Sequence, residues 1–397
     1  MPQKVSFLLG SGTSIPGGMP SVNQITAKVC SGDGVMRHNN GVYDFGQPLY
    51  AHAGIPDEYV RRVVAYLKRL YVEIEQYYSF DPERVVNYED LYYVAAQIYD
   101  REWGGHDNPV AQAFVDKILP DIRALFTGQC DEIRREWTLD YIASEATNYI
   151  YDIVWHFLDI EPTDLAHLCC VRDAYQDVEI SGLDLFTLNH DTVIERYLDG
   201  CGIKYIDGFG PPENGVRYWS PSVFENPLPN VRLLKLHGSV NWFEYEHELQ
   251  AIGIAVNGRY SLYRTRNGQC RQLLIARPKL LVGTYNKMRQ YTSGIYADLY
   301  FELRRALRET GCLVVCGYSF GDEGINKQLV EWADSAVNEK KVIIIIHPQP
   351  ECLKRRARPV ISDSWDRWLQ SKRLSFVEKR IEAASWEEIK AAIRKMT

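Results

Sequence analysis

A dense cluster of polar residues follows one apolar run of this sequence, in the stretch FTLNHDTVIERYL that begins at Phe186. The apolar run and the helical pattern after it are separated by Thr187, Asn189, His190 and Asp191. The Asn189 amide can donate and accept hydrogen bonds, so it could position a water molecule or a sugar hydroxyl. Asp191 could accept from a ligand amide, and a helix N-cap is its structural alternative. The cluster marks a candidate ligand site.

Three further apolar runs also end in residues that could contact a ligand. His237 lies before glycine in KLHGS, where a histidine with a pKa near neutrality could act as a general base. Ser319, in GYSF, could reach a phosphate or a ribose hydroxyl, and His347 ends the run KVIIIIHP. A lone histidine is more often structural, so each signal is weak alone. Together with the first cluster, they predict one common site.

The turn after the first apolar run is rich in glycine, with the order Gly10, Ser11, Gly12 and Thr13. Glycines let a backbone approach a pyrophosphate closely, and successive backbone N–H groups favour anions. The third glycine of the dinucleotide fingerprint would fall at Ile15, so the fingerprint is incomplete. An ordinary strand–helix turn is the competing interpretation.

Apolar runs that alternate with helical patterns are typical of a parallel sheet covered by helices on both faces. In chain order, the runs lie at residues 4–10, 183–188, 203–208, 231–238, 312–319 and 341–348. Ligands of such sheets bind at the carboxyl ends of the strands, which is where the polar residues fall. The sequence therefore predicts an α/β fold with a Rossmann-like doubly wound parallel sheet.

A long helical stretch interrupts the predicted sheet. Apolar residues recur at helical spacing in it, first at Val63, Leu67, Leu70 and Ile74. Similar patterns occur around residues 91–98, 110–126 and 137–158. We predict that residues 1–35 and 181–397 form the Rossmann-like domain and that residues 36–180 form a large helical insertion domain. Its aromatic stripes are expected to pack helix against helix.

Composition narrows the class of protein. The chain has 397 residues, 46% of them hydrophobic and 24% charged, and a net charge of −7. This charge argues against general or sequence-specific nucleic-acid binding, and no apolar stretch reaches membrane-spanning length. The nine cysteines include no C-x-x-C pair, and the start of the sequence is too short and too soon broken by glycine for a signal peptide. We expect a cytoplasmic protein without a structural metal.

Taken together, these residues resemble the sirtuin family over roughly half of the chain. The family's T-Q-N-I-D motif is matched at its three polar positions by Thr187, Asn189 and Asp191, and its catalytic His-Gly by His237-Gly238. Its glycine-rich first turn resembles Gly10–Gly12, and its Gly-Thr-Ser turn resembles Gly317–Ser319. His190 stands where the family has an apolar residue, and a structural role is expected for it.

Several departures refine what the resemblance implies. The four-cysteine zinc ribbon of sirtuin deacylases is missing, and His347 replaces the asparagine that contacts the adenine ribose. These features, with the helical insertion, look like the bacterial sirtuin-like proteins of anti-phage defence, which hydrolyse NAD. Among them, partners of HerA-type ATPases have about this length. The resemblance implies an NAD hydrolase that depletes the cofactor; a protein deacylase and a non-catalytic module that senses NAD or ADP-ribose are the alternatives.

The resemblance also assigns roles to the candidate residues. Asn189, His237 and Asp191 would be catalytic, with NAD as the substrate. The implied NAD-binding residues are Gly10, Ser11, Gly12, Thr13, Gly317, Ser319 and His347. The basic cluster CLKRRARP that begins at Cys352 is either a solvated helix face or a contact for a 2′-phosphate, so NADP stays open as a substrate. The aromatic insertion is expected to support a homo-oligomer.

Overall fold

The structure of the chain is a computed structural model, and it describes most of the sequence. The described residues are 3–38, 40–45, 56–81, 83–103, 110–128, 136–213, 215–226, 228–246, 250–256, 263–264, 270–271, 277–283, 287, 290–335 and 341–396. They divide into two compact units: Met1–Met19 with Asp159–Leu281 and Lys287–Thr397, and Pro20–Leu158 with Val282–Asn286. The domain limits given above from the sequence stay a prediction.

The described part contains fourteen strands. In chain order they are β1 (Gln3–Leu9), β2 (Val35–Arg37), β3 (Tyr43–Phe45), β4 (Ile180–Thr187), β5 (Phe209–Glu213), β6 (Val216–Trp219), β7 (Val231–Lys235), β8 (Phe243–Glu246), β9 (Gln250–Ala255), β10 (Tyr263–Arg264), β11 (Cys270–Arg271), β12 (Cys312–Cys316), β13 (Val342–Ile346) and β14 (Leu374–Val377).

The α-helices of the described residues follow the same order. They are α1 (Val22–Ser31), α2 (Pro56–Tyr78), α3 (Tyr88–Trp103), α4 (Val110–Ile122), α5 (Leu139–Leu158), α6 (Cys169–Gln176), α7 (Val193–Gly200), α8 (Gly294–Glu309), α9 (Glu323–Asp334), α10 (Pro350–Arg356), α11 (Pro359–Gln370) and α12 (Trp386–Met396). The helical patterns expected around residues 91–98, 110–126 and 137–158 therefore fall on α3, α4 and α5.

The first unit is built on a six-stranded sheet in the order β14-β13-β12-β1-β4-β7. Every neighbouring pair in it is parallel. The chain thus builds one half of the sheet outward from β1 and then returns to β1 to build the other half from β12. This is the Rossmann order, and the predicted fold class is confirmed. The point where the order reverses lies between β1 and β12, and ligands of such sheets bind there.

Helices cover both faces of this sheet because successive strand residues point to opposite sides. Leu8, Val315 and Ile345 belong to one buried cluster, which α8, α9 and α11 complete. Phe7 and Val314 belong to the cluster on the other face, which α6, α7 and α12 complete. Strands buried on both faces must be apolar throughout, which is why they appear in the sequence as continuous apolar runs.

One strand prediction is wrong, and several strands of the structure were not predicted. Residues 203–208 are not a strand; only an isolated bridge joins Ile206 to Arg232 of β7. The sixth strand is instead β14, whose four residues lie too far into a polar stretch to have been predicted. A separate four-stranded sheet of order β5-β6-β9-β8 was also not predicted. Its strands carry exposed positions and a proline pair, so they lack the apolar run that marks the central strands.

The second unit is mostly helical. In this unit α3 packs along α5, and α2 lies against α5 as well. The sequence did not predict the short hairpin of β2 and β3. In this hairpin the Tyr43 backbone amide donates a hydrogen bond to a carboxylate oxygen of Asp152 of α5, with a nitrogen–oxygen distance of 2.9 Å. Arg37 pairs with Glu145 of the same helix at 2.7 Å. The aromatic side chains predicted to pack helices include Tyr66, Tyr88 and Tyr149, which are buried in this unit.

The turn after β1 lies directly against the turn after β12. The Gly10 amide donates to the Cys316 carbonyl at 2.9 Å, and the Gly12 amide donates to the Gly317 carbonyl at 3.0 Å. A Cβ at Gly10 would lie 2.4 Å from the Gly317 oxygen, and one at Gly317 would lie 2.3 Å from the Thr13 nitrogen. Gly317 also has a φ of +64°. Backbone contact requires glycine at both positions, and at Gly317 the conformation favours it as well.

This contact predicts the cost of adding a methyl group at Gly317. In Gly317→Ala, left-handed strain of about 1–2 kcal/mol adds to an overlap worth roughly 1–3 kcal/mol. Gly202 is the matched control, because its φ is +67° and a Cβ there would meet nothing within 4 Å. Urea unfolding should show Gly317→Ala losing clearly more free energy of unfolding than Gly202→Ala. Equal losses would mean that the two turns do not touch as described.

Candidate functional site

Asn189 ties the end of β4 to the turn after β1. Its side-chain nitrogen donates to the Gly10 carbonyl at 3.0 Å and to the Ser14 hydroxyl at 2.8 Å. A carbonyl can only accept, so the nitrogen must face Gly10 and the amide orientation is fixed. The side-chain oxygen is buried and has no hydrogen-bond partner among the described residues. A buried acceptor of this kind is expensive unless a ligand or water donates to it.

The two residues after Asn189 have different surroundings. A carboxylate oxygen of Asp191 accepts from the Val193 amide at 3.0 Å at the start of α7, where Thr192 occupies the N-cap position. His190 is buried, and its Nδ1 atom lacks a partner in the described part of the chain. Burial, then the positive charge that His237 carries when protonated, and then the charges of Lys287 and Lys235 hold the pKa of His190 well below its usual value. His190 is therefore a neutral imidazole at neutral pH.

A buried ion pair supports this loop from below. Lys235, the last residue of β7, pairs with Glu195 of α7 at 2.9 Å and also donates to the Asp191 carbonyl. Burial raises the pKa of Glu195, and the charge of Lys235 opposes that rise. The register pairs Thr187 with Lys235, so the polar residues that follow β4 and β7 emerge side by side.

His237, which follows β7, is held by two side chains. Its Nε2 atom lies 2.9 Å from a carboxylate oxygen of Asp322 and 2.9 Å from the Tyr291 hydroxyl. The Tyr291 hydroxyl in turn donates to the same Asp322 oxygen at 2.9 Å. The rings of His237 and His190 are 6.2 Å apart. All four side chains are buried.

Charge explains how a carboxylate persists in this buried group. Burial alone would raise the pKa of Asp322, but the hydrogen bond from His237, the positive charge that His237 carries when protonated, and the charge of Lys287 hold it well below its usual range. Burial, followed by the negative charge of Asp322, raises the pKa of Tyr291 well above its usual value. At neutral pH the network therefore contains an ionised Asp322 and a protonated Tyr291.

The predicted phosphate turn uses most of its backbone amides inside the protein. The Gly10, Gly12 and Thr13 amides all donate to backbone carbonyls, and Ser11 is the exposed residue of the turn. The turn continues into short 3-10 helices, and α1 begins only at Val22, capped by Ser21. A complete cradle of unused amides is therefore not present in this turn.

Another histidine holds the same turn in place. His167 places its Nε2 atom 2.9 Å from the Thr13 carbonyl, and the Thr163 amide donates to the Gly17 carbonyl at 2.9 Å. Burial lowers the pKa of His167, which keeps its ring neutral. Because the Thr13 carbonyl can only accept, the proton of this neutral ring lies on Nε2.

Ser319 and His347 lie on the other side of the switch point. Ser319 is exposed after β12, and His347 is half-buried after β13, where its Nδ1 atom accepts from the Gln349 amide at 3.0 Å. Burial lowers the pKa of His347, and the positive charge of Arg356 lowers it further. These two residues share the carboxyl edge of the sheet with Asn189 and His237 but belong to the half built by β12 and β13.

The structure brings some predicted residues into contact and adds others. Asn189 contacts the predicted turn directly, while His237 meets His190 and two residues that were not predicted, Asp322 and Tyr291. Asp322 resembles a helix cap in the sequence, and its second oxygen does accept from the Ile325 amide at 3.0 Å. Its position two residues after the candidate segment GYSF is the sequence signal that could have drawn attention to it.

The arrangement can orient a water molecule and remove a proton. Asn189 presents an acceptor, and His237 is an imidazole backed by a carboxylate, the pairing that general bases use. Among the described residues, no group of three or more histidine, cysteine, aspartate or glutamate side chains could hold a metal ion. In the same part of the chain, no helix has the length and apolar character needed to cross a membrane.

Comparison with known proteins finds a similarity for this region. Residues 184–376 match the family model of the SIR2-like domain. The matched range runs from β4 to β14 and includes Asn189, His237 and Asp322. No curated protein matches the chain by sequence. This part of the chain is thus similar to a SIR2-like domain.

Solved structures similar to the chain include several sirtuins. One is described as the structural basis of sirtuin substrate affinity, with 12% identity, a TM-score of 0.36 and coverage of 99% of this chain and 93% of that one. A Sir2 homologue–NAD complex has 11% identity, a TM-score of 0.36 and coverage of 99% and 91%. A Sir2 bound to acetylated peptide has 11% identity, a TM-score of 0.33 and coverage of 99% and 92%.

The buried ion pair beneath the site predicts a large effect of removing one partner. Lys235→Met should lower the free energy of unfolding by about 3–5 kcal/mol, because Glu195 would stay buried without its counter-charge. Adding Glu195→Leu should recover much of that loss. The control is Lys354→Met, since its pair with Asp366 is exposed and worth about 0–1 kcal/mol. Urea unfolding measures all three, and a Lys235→Met loss no larger than the control would contradict the described pair.

Proposed function

We propose that the chain binds NAD at the carboxyl edge of the sheet and hydrolyses the bond between nicotinamide and ribose. The observation that carries this proposal is the buried oxygen of Asn189, which has no partner among the described residues and lies at the same carboxyl edge of the sheet as His237. The SIR2-like domain over residues 184–376 supports NAD as the ligand. The products would be ADP-ribose and nicotinamide.

The chemistry needs little covalent participation by the protein. Nicotinamide leaves as a neutral molecule with the electrons of the C–N bond, and the ribose becomes oxocarbenium-like, as in glycoside cleavage. The Asn189 oxygen accepts from the attacking water and holds it near the ribose carbon. His237 takes the proton that water loses as its oxygen bonds to that carbon. Asp191 orients the loop through its contact with α7.

The remaining predicted residues would hold the rest of the dinucleotide. Ser11 is the exposed group of the first turn and would contact the pyrophosphate, while the glycines there allow a close approach. Ser319 and His347 would contact the adenosine half across the switch point. This division follows the rule that dinucleotides lie across the point where the strand order reverses.

The biological role follows from the same resemblance that implies the reaction. An NAD hydrolase of this type would act in anti-phage defence by depleting the cofactor of the infected cell. Such an activity must be restrained until infection, and assembly with itself or with a HerA-type ATPase could restrain it. Two aromatic side chains near the end of α2 are exposed, Tyr77 at 66% and Phe80 at 71%, and their ring centroids lie 5.6 Å apart. An exposed aromatic pair of this kind supports an assembly.

Light scattering tests the assembly. The wild-type protein should be larger than a monomer at micromolar concentration, and the double change Tyr77→Glu with Phe80→Glu should lower its mass. Val178→Glu is the control, because Val178 is 91% exposed and lies in the other unit.

Nicotinamide release with and without a HerA-type ATPase then tests the partner. A wild-type monomer that is fully active alone would contradict both proposals.

Substitution of the two central residues tests the reaction. His237→Ala should reduce single-turnover nicotinamide release by about 10²–10⁴-fold, as expected for a lost general base. Asn189→Ala should cost roughly 10²-fold or more, because a misplaced water reacts slowly. The double variant should be little worse than the more affected single variant, since the two groups act as one unit. Binding of NAD should survive in both.

The controls for this experiment are the exposed residues His38 and Asn226, whose alanine variants should cleave NAD at the wild-type rate. Circular dichroism confirms folding of each variant. His190→Ala should cost much less than His237→Ala. A folded His237→Ala protein with near wild-type release would show that His237 is not the base. An acetyl-lysine peptide in a parallel assay detects deacylation, and turnover of that peptide without nicotinamide release from NAD alone would replace hydrolysis with deacylation.

A further inference from the structure

A carboxylate lies directly behind the candidate base. Asp322 comes from the segment between β12 and α9, 85 residues after His237, and its Oδ2 atom is 2.9 Å from the His237 Nε2 atom. Tyr291, from the segment before α8, places its hydroxyl 2.9 Å from both atoms. Three side chains that are distant in sequence therefore meet at one buried carboxylate oxygen.

The hydrogen bonds determine where the proton of His237 lies. The Tyr291 hydroxyl has one proton and donates it to Asp322. The ionised Asp322 oxygen can only accept, so the His237 Nε2 atom must carry a proton to face it. In a neutral imidazole the other nitrogen is then unprotonated. Nδ1 is therefore the basic nitrogen of His237 in this arrangement.

We propose that Asp322 is a positioning residue that fixes His237 with its proton on Nε2, so that Nδ1 accepts the proton of the attacking water. This inference rests on the proposed NAD hydrolysis. As the water oxygen bonds to the ribose carbon, an O–H bond breaks and the proton moves to Nδ1. The resulting imidazolium is stabilised by the carboxylate behind it. Tyr291 strengthens the arrangement by donating to the same oxygen.

The charged groups around His237 favour this role. Asp322 is the negative group that contacts His237, and the positive charge of Lys287 acts on both Asp322 and His190. His190 stays neutral, and Tyr291 stays protonated. A carboxylate adjacent to an imidazolium stabilises the charged form and raises the pKa at which it loses a proton.

A helix cap is the structural alternative for Asp322, and the two roles use different oxygens. Oδ1 accepts from the Ile325 amide at 3.0 Å, whereas Oδ2 faces His237. Asp322→Asn keeps an oxygen for the Ile325 amide, and this requirement turns the new NH₂ group toward His237. That group can only donate, so Nε2 would become the acceptor and the proton would move to Nδ1. The cap would be kept while the base is lost.

Kinetics of nicotinamide release test the catalytic consequence. Asp322→Asn should lower kcat about 10²-fold or more with little change in KM, as expected when a base is disabled but binding is kept. The acid limb of its residual pH–rate profile should move to lower pH by roughly one to three units, because the imidazolium has lost its counter-charge. Tyr291→Phe should lower kcat by a smaller factor. Asp298→Asn is the control, since Asp298 accepts from the Trp219 indole at 2.9 Å, away from His237.

Nitrogen-15 spectra of labelled histidine test the tautomer without any turnover. Comparison with His237→Gln assigns the His237 signals, which should show a protonated Nε2 in the wild-type protein and a protonated Nδ1 in Asp322→Asn. A wild-type His237 protonated on Nδ1, or a tautomer unchanged by Asp322→Asn, would overturn the proposal. So would wild-type kcat in Asp322→Asn. If the tautomers are as expected but the wild-type protein releases no nicotinamide, then the proposed hydrolysis fails while the assignment of Asp322 to His237 stands.

Discussion

Backbone contact between the turns after β1 and β12 is the constraint on which the candidate site depends. Gly10, Gly12 and Gly317 leave no room for a side chain between these turns. The contact closes the switch point of the sheet and holds the Gly10 carbonyl where Asn189 donates to it. Because the Asn189 side-chain nitrogen donates to that carbonyl, the orientation of the amide group is fixed, and so is the direction of its side-chain oxygen. A shift of either turn would move the acceptor that the proposed reaction needs.

The polar groups at this edge are expensive to bury, and the structure compensates most of them with partners. Lys235 pairs with Glu195, Tyr291 donates to Asp322, and His237 lies against the same carboxylate. Buried polar networks add less to stability than well-packed apolar side chains of the same volume would. Their retention at the carboxyl ends of strands that are otherwise apolar throughout is what a functional site predicts. The Asn189 oxygen, which has no partner among the described residues, is the clearest case.

The two halves of the edge differ in a way that suits an extended, asymmetric ligand. The half formed by β4 and β7 carries the buried groups that could act on a reacting atom. The half formed by β12 and β13 carries, besides the buried Asp322, the exposed Ser319 and the half-buried His347, which could bind without reacting. A dinucleotide has a reactive end and an adenosine end joined by a pyrophosphate, so both its length and its chemistry correspond to this division.

The sequence alone determined the class of fold and half of the candidate site. Strands buried on both faces must be apolar along their whole length, so β1, β4, β7, β12 and β13 were visible as runs, and polar residues at their ends pointed to one edge. Asn189 and His237 were predictable for that reason. The four-residue β14 and the small antiparallel sheet were not, because neither has a continuous apolar run.

Only the tertiary structure decided which groups act on the candidate base. Asp322 and Tyr291 lie 85 and 54 residues from His237, and no local periodicity records such a contact. In the sequence, Asp322 is explained fully by the start of a helix, which is one of its two roles. The same limit applies to His167, whose contact with Thr13 spans 154 residues. The local pattern of apolar residues in a sequence predicts which face of an element a residue lies on. The order of the strands in the sheet decides which distant residues become hydrogen-bond partners, and that order is a property of the tertiary structure.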